Sequence, residues 1–293
     1  MTTTTTVAHT IARATMMRQS MDAPGPAPGC IDIEVDLDRP SLARVEDYLL
    51  GGAYNVAADR ALAKRVLAAV PDAARMVREH RAFLARAVRL CVAAGVRQFL
   101  DLGSAMPTVG NTYQVARHAV ADARVVLVDS DPVAVALGTA LLVGDSRAAV
   151  VHADLRRPDD ILDHPELRAV LNLDRPVAVL LVDALHRVSD EDDPHAIVAR
   201  LRDRFISGSH LVISHPCTEG GRPDAMAAIA DLGRHAGKPL TIRIRADIAR
   251  LFTGLEQVDP GLVWVPRWRT ESPDEADDWA RRSSILAGVG RKP

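Results

Sequence analysis

Four aspartates stand where short apolar runs end. Asp101 closes a run at 97–102, Asp129 one at 124–129, Asp154 follows one at 149–152, and Asp183 follows one at 177–182. They are separated by 28, 25 and 29 residues, each near the roughly 30 residues of one strand–helix–strand unit. Carboxylates in phase with such a repeat line up along one edge of a parallel sheet. There they can accept hydroxyls, amines or cations from a ligand lying across the strand ends. The turn after the first acid, Leu102-Gly103-Ser104-Ala105, is small enough to let a ligand approach the backbone. Asp129 with Ser130 is placed to hold the two hydroxyls of a ribose, and Asp131 before Pro132 reads as a helix cap. Asp154 and Leu155 are placed to take an exocyclic amine and the face of its ring. Asp183 could hold an ammonium or a substrate group.

Histidines are the candidates for proton transfer. His186 lies three residues past Asp183, and its ordinary pKa near 6.5 suits a general base. His215, after a fifth apolar run at 210–214, is a second candidate, on the substrate side. Tyr54 and Asn55, beside Gly51-Gly52, are candidates for a lid or substrate contact. No HxxxH or HExxH spacing and no paired cysteines argue for a metal, so none is expected. A dinucleotide is disfavoured because Gly103, Ala105 and Thr108 do not make GxGxxG, and no Walker lysine motif exists for phosphoryl transfer.

The elements that would position these residues follow from periodicity. Apolar runs without alternation describe strands buried on both faces, and helical segments between them imply a parallel sheet with crossovers. Ahead of that sheet, Ser41 precedes a helical pattern at Leu42, Val45, Tyr48 and Leu49, and 57–69 and 72–94 read as two further helices. The end of the chain, 283–290, reads as a last strand that forms a reversed hairpin with 255–258. The expected division is a disordered tail and linker over 1–38, a helical cap over 39–95 and a core over 96–293, with cap and core as one structural domain. A chain of 293 residues with a formal charge of −2 and 3% aromatics offers no basic surface or stacking platform, so nucleic acid is an unexpected partner. No apolar stretch approaches a membrane span. Three widely spaced cysteines fit a reducing cytoplasm.

An adenosine-binding edge without a pyrophosphate turn points to S-adenosyl-L-methionine. The motifs RPSLARVEDYLLGGAYNVAADR (39–60), RQFLDLGSAMPT (97–108), VVLVDSDPVAVA (125–136), VHADLRRPDDIL (151–162), RPVAVLLVDALHRVSDEDDP (175–194) and GLEQVDPGLVWVPRW (254–268) resemble the class I methyltransferases. More narrowly, they resemble an actinobacterial family of S-adenosyl methyltransferases of unknown substrate. The resemblance implies a Rossmann-like α/β fold with a seven-stranded, mostly parallel sheet and helices on both faces. It also implies S-adenosyl-L-methionine as cofactor, held by Asp101, Gly103, Ser104, Ala105, Asp129, Ser130, Asp154, Leu155 and Asp183. Two positions depart from the family pattern: Ala105 replaces a usual second glycine, which weighs against tight cofactor binding, and Asp183 replaces a small apolar residue. The expected activity is methyl transfer to a small molecule, with His186 as the base. The competing expectation is a regulatory protein that binds the cofactor without catalysis.

Overall fold

The computed structural model describes residues 37–103, 110–235, 237, 239–270 and 279–293. The tail expected over 1–38 lies outside these apart from its last two residues, and so do Ser104 and Ala105. Three helices lead: α1 (Leu42–Leu49), α2 (Ala57–Ala69) and α3 (Ala73–Ala93). Alternation then begins with β1 (Gln98–Leu102), α4 (Thr112–Ala119), β2 (Arg124–Asp129), α5 (Pro132–Leu142) and β3 (Ala148–His152). The short helices α6 (Pro158–Leu162) and α7 (Pro165–Val170) lead to β4 (Val177–Val182), a 3-10 turn (Leu185–Arg187), α8 (Pro194–Arg204) and β5 (His210–Pro216). The chain closes with α9 (Pro223–His235), α10 (Arg245–Arg250), β6 (Glu256–Gln257), β7 (Val263–Trp264) and β8 (Ile285–Arg291).

The sheet order is β3-β2-β1-β4-β5-β8-β6, with β7 also on β8. Strands β1 to β5 are parallel, and β8 is antiparallel to its neighbours. Two short strands share the outer edge of β8: β6 pairs near Arg291 and β7 near Leu286. The seventh strand position of the expected sheet is thus divided between them.

Burial on both faces explains the unbroken apolar runs. Leu100, Leu102, Val126, Val128, Val179 and Leu181 pack on one face, with α6, α7, α8 and α10. Their neighbours Phe99, Val125, Leu127, Ala178 and Leu180 pack on the other, against Met76, Phe83, Leu84, Val88 and Cys91 of α3. Those α3 residues recur every three or four positions, which makes one apolar stripe. Trp268, fully buried, sits edge-on to Phe83 with ring centroids 5.1 Å apart.

Helices α1 and α2 fold as a hairpin held by a buried ion pair. Arg44 Nε donates to Asp59 Oδ2 at 2.7 Å, and the Ser41 amide donates to Asp59 Oδ1. Ser41 occupies the expected cap position, but its side chain makes no cap bond to α1. Its hydroxyl donates to Asp131 Oδ2 at 2.5 Å instead. Asp131 in turn caps α5, accepting the Val133 amide at 2.8 Å.

Candidate active site

Strand order reverses between β1 and β4, because the chain builds outward through β2 and β3 and then returns to the other side of β1. A crevice forms outside the carboxyl ends of the strands at such a point. The turns after β1 and β4 meet there. Gly103 has φ +80°, and a Cβ on it would lie 3.0 Å from the Ala184 Cβ. Only glycine takes that conformation without strain and leaves that contact open.

A cleft of about 530 Å³ opens at this edge. Gly103, Asp129, Ser130, Asp154 and Leu155 all line it. Asp129 is buried and accepts the Asp131 amide on Oδ1 at 2.8 Å, which fixes its carboxylate at the mouth of the β2–α5 turn. Asp154 is gripped by Arg156, with Nε–Oδ1 at 3.0 Å and Nη2–Oδ2 at 2.5 Å. Those hydrogen bonds hold its pKa below the ordinary carboxylate range.

A small space of about 20 Å³, the passage, lies beside this cleft and is lined by Glu46, Arg81, Asp101, Gly103 and Asp183. Asp101 is buried and accepts the Thr112 hydroxyl at 2.6 Å. Burial pushes its pKa up to about 6, against the opposing pull of Thr112 and Arg81. Asp183 has φ +56°, a conformation uncommon outside glycine. Its amide donates to Ser214 Oγ at 3.0 Å. Burial favours its neutral form, but the electrostatic influence of His186, His80 and two arginines outweighs this and holds its pKa down.

Beyond Asp183 lies a third space, an apolar slot of about 150 Å³ between α1, α3 and α9. His80, Asp183, His186 and Arg187 form its polar end. His186 Nδ1 is 3.5 Å from Asp183 Oδ1, and His80 Nε2 is 3.8 Å from the same oxygen. Burial pulls His186 down to about 4, against the attraction of Asp183, so the ring is neutral near pH 7. The three spaces are neighbours: Gly103 borders the first two, and Glu46, His80 and Asp183 border the second and third.

The remaining sequence candidates lie elsewhere. His215 is fully buried, with Nδ1 2.8 Å from Pro216 O and Nε2 2.7 Å from Arg243 Nη1. Burial draws its pKa to about 3, so it is a neutral acceptor for Arg243 and lines none of the three spaces. Asn55 is buried in the turn after α1, donating to Asp47 Oδ2 and Gly52 O at 2.9 Å. Tyr54 is exposed and also lines none of the three.

Sequence reasoning missed His80 and Arg243. His80 shares the apolar stripe of α3, where a histidine has the pattern of a core residue. Its Nδ1 is 3.0 Å from Ser214 Oγ, the hydroxyl that accepts the Asp183 amide. Arg243 donates to Leu185 O at 3.0 Å and Val188 O at 2.7 Å. It thereby clamps the turn that carries His186. Only a long-range contact identifies it, so no local pattern could have shown it.

A larger cavity, about 880 Å³, lies at the opposite edge, beside Gln98, Arg124 and Pro176 where strands begin, and holds none of the phased acids. Among the described residues no group of His, Cys, Asp or Glu is arranged to hold a metal ion, and no helix is long and apolar enough to cross a membrane.

The donor set of the crevice suits an adenosyl ligand with a cationic tail. Acids at the ends of β1 and β4 face the passage, Asp129 stands at the ribose position of such folds, and the Gly103 turn leaves room beside Ala184. No curated protein sequence matches the chain. A crystal structure of a provisionally assigned methyltransferase from Thermobifida fusca superposes with a TM-score of 0.82 at 39% identity, over 92% of this chain and 99% of that one. A DUF574 family protein from Streptomyces avermitilis superposes with a TM-score of 0.81 at 36% identity, over 88% and 100%. The plantazolicin methyltransferase BamL shares the fold at a TM-score of 0.50 and 11% identity, over 85% and 95%. The model of the S-adenosyl methyltransferase family matches residues 30–293. The chain therefore belongs to the S-adenosyl methyltransferase family: it is a methyltransferase of Rossmann-like fold, and S-adenosyl-L-methionine is its cofactor.

Proposed function

We propose that the protein methylates a small-molecule acceptor in the actinobacterial cytoplasm, with the cofactor in the 530 Å³ cleft and passage and the acceptor in the apolar slot. The observation that carries this reading is the adjacency of the three spaces, with Gly103 shared by the first two and Asp183 by the last two. A methyl donor and an acceptor must meet in line, and neighbouring clefts that share a wall place the two within reach of each other. Asp129 and Ser130 hold the ribose, Asp154 and Leu155 the adenine, and Asp101 and Asp183 the cationic amino-acid end. Gly103 supplies the backbone that the ligand crosses, with Ser104 and Ala105 next to it in the sequence.

When bound, the cofactor supplies a methyl group whose bond to sulfur breaks as its bond to the acceptor forms, the sulfur keeping the electron pair. The chain's own work is positioning, water exclusion and proton transfer. With its Nδ1 proton turned to Asp183, His186 presents the Nε2 lone pair as the base, and the ionised carboxylate stabilises the imidazolium that results. His80 positions Asp183 through Ser214. A near-neutral chain carries no field for nucleic acid, which supports a small acceptor. Unpaired Cys91 and Cys217 support a reducing compartment.

Calorimetric titration with S-adenosylmethionine and S-adenosylhomocysteine tests the cofactor site. No binding of either at millimolar ligand would sink it. Turnover against fractionated small-molecule extract tests the catalytic reading. Tight cofactor binding with no methylated product in any fraction would favour the non-catalytic sensor.

A further inference from the structure

We infer that the acceptor is a small neutral molecule with one ring-sized apolar body and one hydroxyl head, an uncharged phenol being the simplest member. This rests on the slot being the acceptor site. The size follows from the slot itself: about 150 Å³, walled by Val45, Leu49, Met76, Met226, Ile229 and Leu240. Apolar cavities of about 150 Å³ take up benzene, so one ring fills this space and any larger substituent must project from its mouth.

The head group follows from the polar end. His186 is buried and its Nδ1 makes no hydrogen bond, with the Asp183 carboxylate 3.5 Å away. Arg187, which also borders the slot, has a buried Nε with no hydrogen-bond partner. Unsatisfied buried groups are costly, and a ligand that completes them gains affinity. A hydroxyl completes Arg187 Nε by accepting from it and donates its own proton to His186 Nε2, which leaves Nδ1 turned to Asp183. An ether or an alkane lacks the proton, and an ammonium lacks the acceptor. In the reaction the hydroxyl proton passes to His186 Nε2, the O–H electrons stay on oxygen, and that oxygen forms the new bond to carbon.

Neutrality follows from the pairing of charges around the slot. Glu46 is bound by Arg81 at 3.0 Å, and Asp183 has Arg187 within 4.0 Å. Neither sign is left in excess, so a carboxylate or ammonium on the acceptor would be buried without a counter-charge.

The test is calorimetric titration of the full chain with phenol, benzoate and benzylammonium, each with and without saturating S-adenosylhomocysteine. The expected result is a phenol Kd of about 1 mM or tighter, with both charged rings at least about tenfold weaker, or about 1.4 kcal/mol. Ile229→Trp and Leu240→Trp each fill the slot from a half-buried wall position. Each should weaken phenol at least about tenfold while leaving the S-adenosylhomocysteine titration unchanged. A thermal melt selects the variant that folds, and the charge comparison needs neither. Charged rings binding as tightly as phenol, no phenol binding, or phenol binding indifferent to a folded slot-filling variant would overturn the inference. Failure of the cofactor reading registers separately, as absent S-adenosylhomocysteine heat, and phenol binding to the unloaded chain still decides this question.

Discussion

If Asp101 holds the cofactor's cationic end as proposed, its buried carboxyl should make cofactor binding release protons. Its folded pKa of about 6 stands against an ordinary value of 3.8. The folded state therefore binds a proton that the unfolded chain gives up. The associated stability is fully present below pH 3.8 and is lost as pH rises through about 6. With about 1.36 kcal/mol per tenfold change in proton affinity, the loss comes to about 3 kcal/mol. A cationic ligand group beside Asp101 favours the ionised form and pulls that pKa down. At pH 6 about half of the Asp101 population is protonated, so binding should expel about half a proton, and at pH 8 this source should contribute none. The assay is titration with S-adenosylhomocysteine at both pH values in buffers of different ionisation enthalpy. The slope of heat against that enthalpy counts the protons. Asp101→Asn keeps an acceptor for the Thr112 hydroxyl, removes the titration, and should raise stability at pH 8 by up to about 3 kcal/mol while weakening binding. Absence of proton release at pH 6 in the wild type, or its persistence in Asp101→Asn, would refute the reasoning.

Asp129→Ala should weaken cofactor binding by about tenfold or more, since each hydrogen bond that a carboxylate accepts contributes about 1.5–3 kcal/mol; unchanged affinity by calorimetry would remove the ribose assignment. Gly103→Ala forces a side chain into φ +80° and against Ala184; the expected cost is about 1–2 kcal/mol in a denaturant melt, with weaker cofactor binding, and neutral behaviour in both would contradict the turn geometry. With His186 near 4, its neutral form dominates down to pH 5.5. The saturated rate should therefore stay nearly flat from pH 7.5 to 5.5, where an ordinary histidine would retain only about a tenth of its neutral form. A fall of that size in kcat, abolished in His186→Gln, would place the histidine's pKa at its ordinary value.

Much of the scaffold was legible because both faces of the central strands are buried. Runs such as Val177–Val182 carry no polar residue until the chain leaves the sheet, so strand ends and the acids that follow them can be read from one line of text. Helix α8 was bounded by its own punctuation, with Asp193 accepting the Ala196 amide ahead of Pro194. The interior of the site was less legible because its geometry is set by partners far away in sequence. Nothing near His215 announces Arg243, and that guanidinium decides which way the ring faces. Nothing near His80 announces Ser214, 134 residues on, so a histidine on an apolar stripe looks like filling. Tyr54 and Asn55 drew attention as polar residues beside two glycines. Asn55 is instead spent on closing that turn against Asp47.

Ser41 shows how the helical cap and the cofactor edge are made into one device. A serine before a helix ordinarily accepts an amide of that helix's first turn on its side-chain oxygen. Here Asp59 already accepts the Ser41 amide, and the hydroxyl is free to reach Asp131. Asp131 caps α5 with one oxygen, takes Ser41 with the other, and gives its amide to Asp129. The Asp129 carboxylate, proposed to hold the ribose, is therefore held by a chain of bonds that begins at the head of α1. The same helix borders all three spaces, with Ala43 on the cleft, Glu46 on the passage and Val45 and Leu49 on the slot. A displacement of α1 must then alter the wall of the slot and the Asp129 turn together.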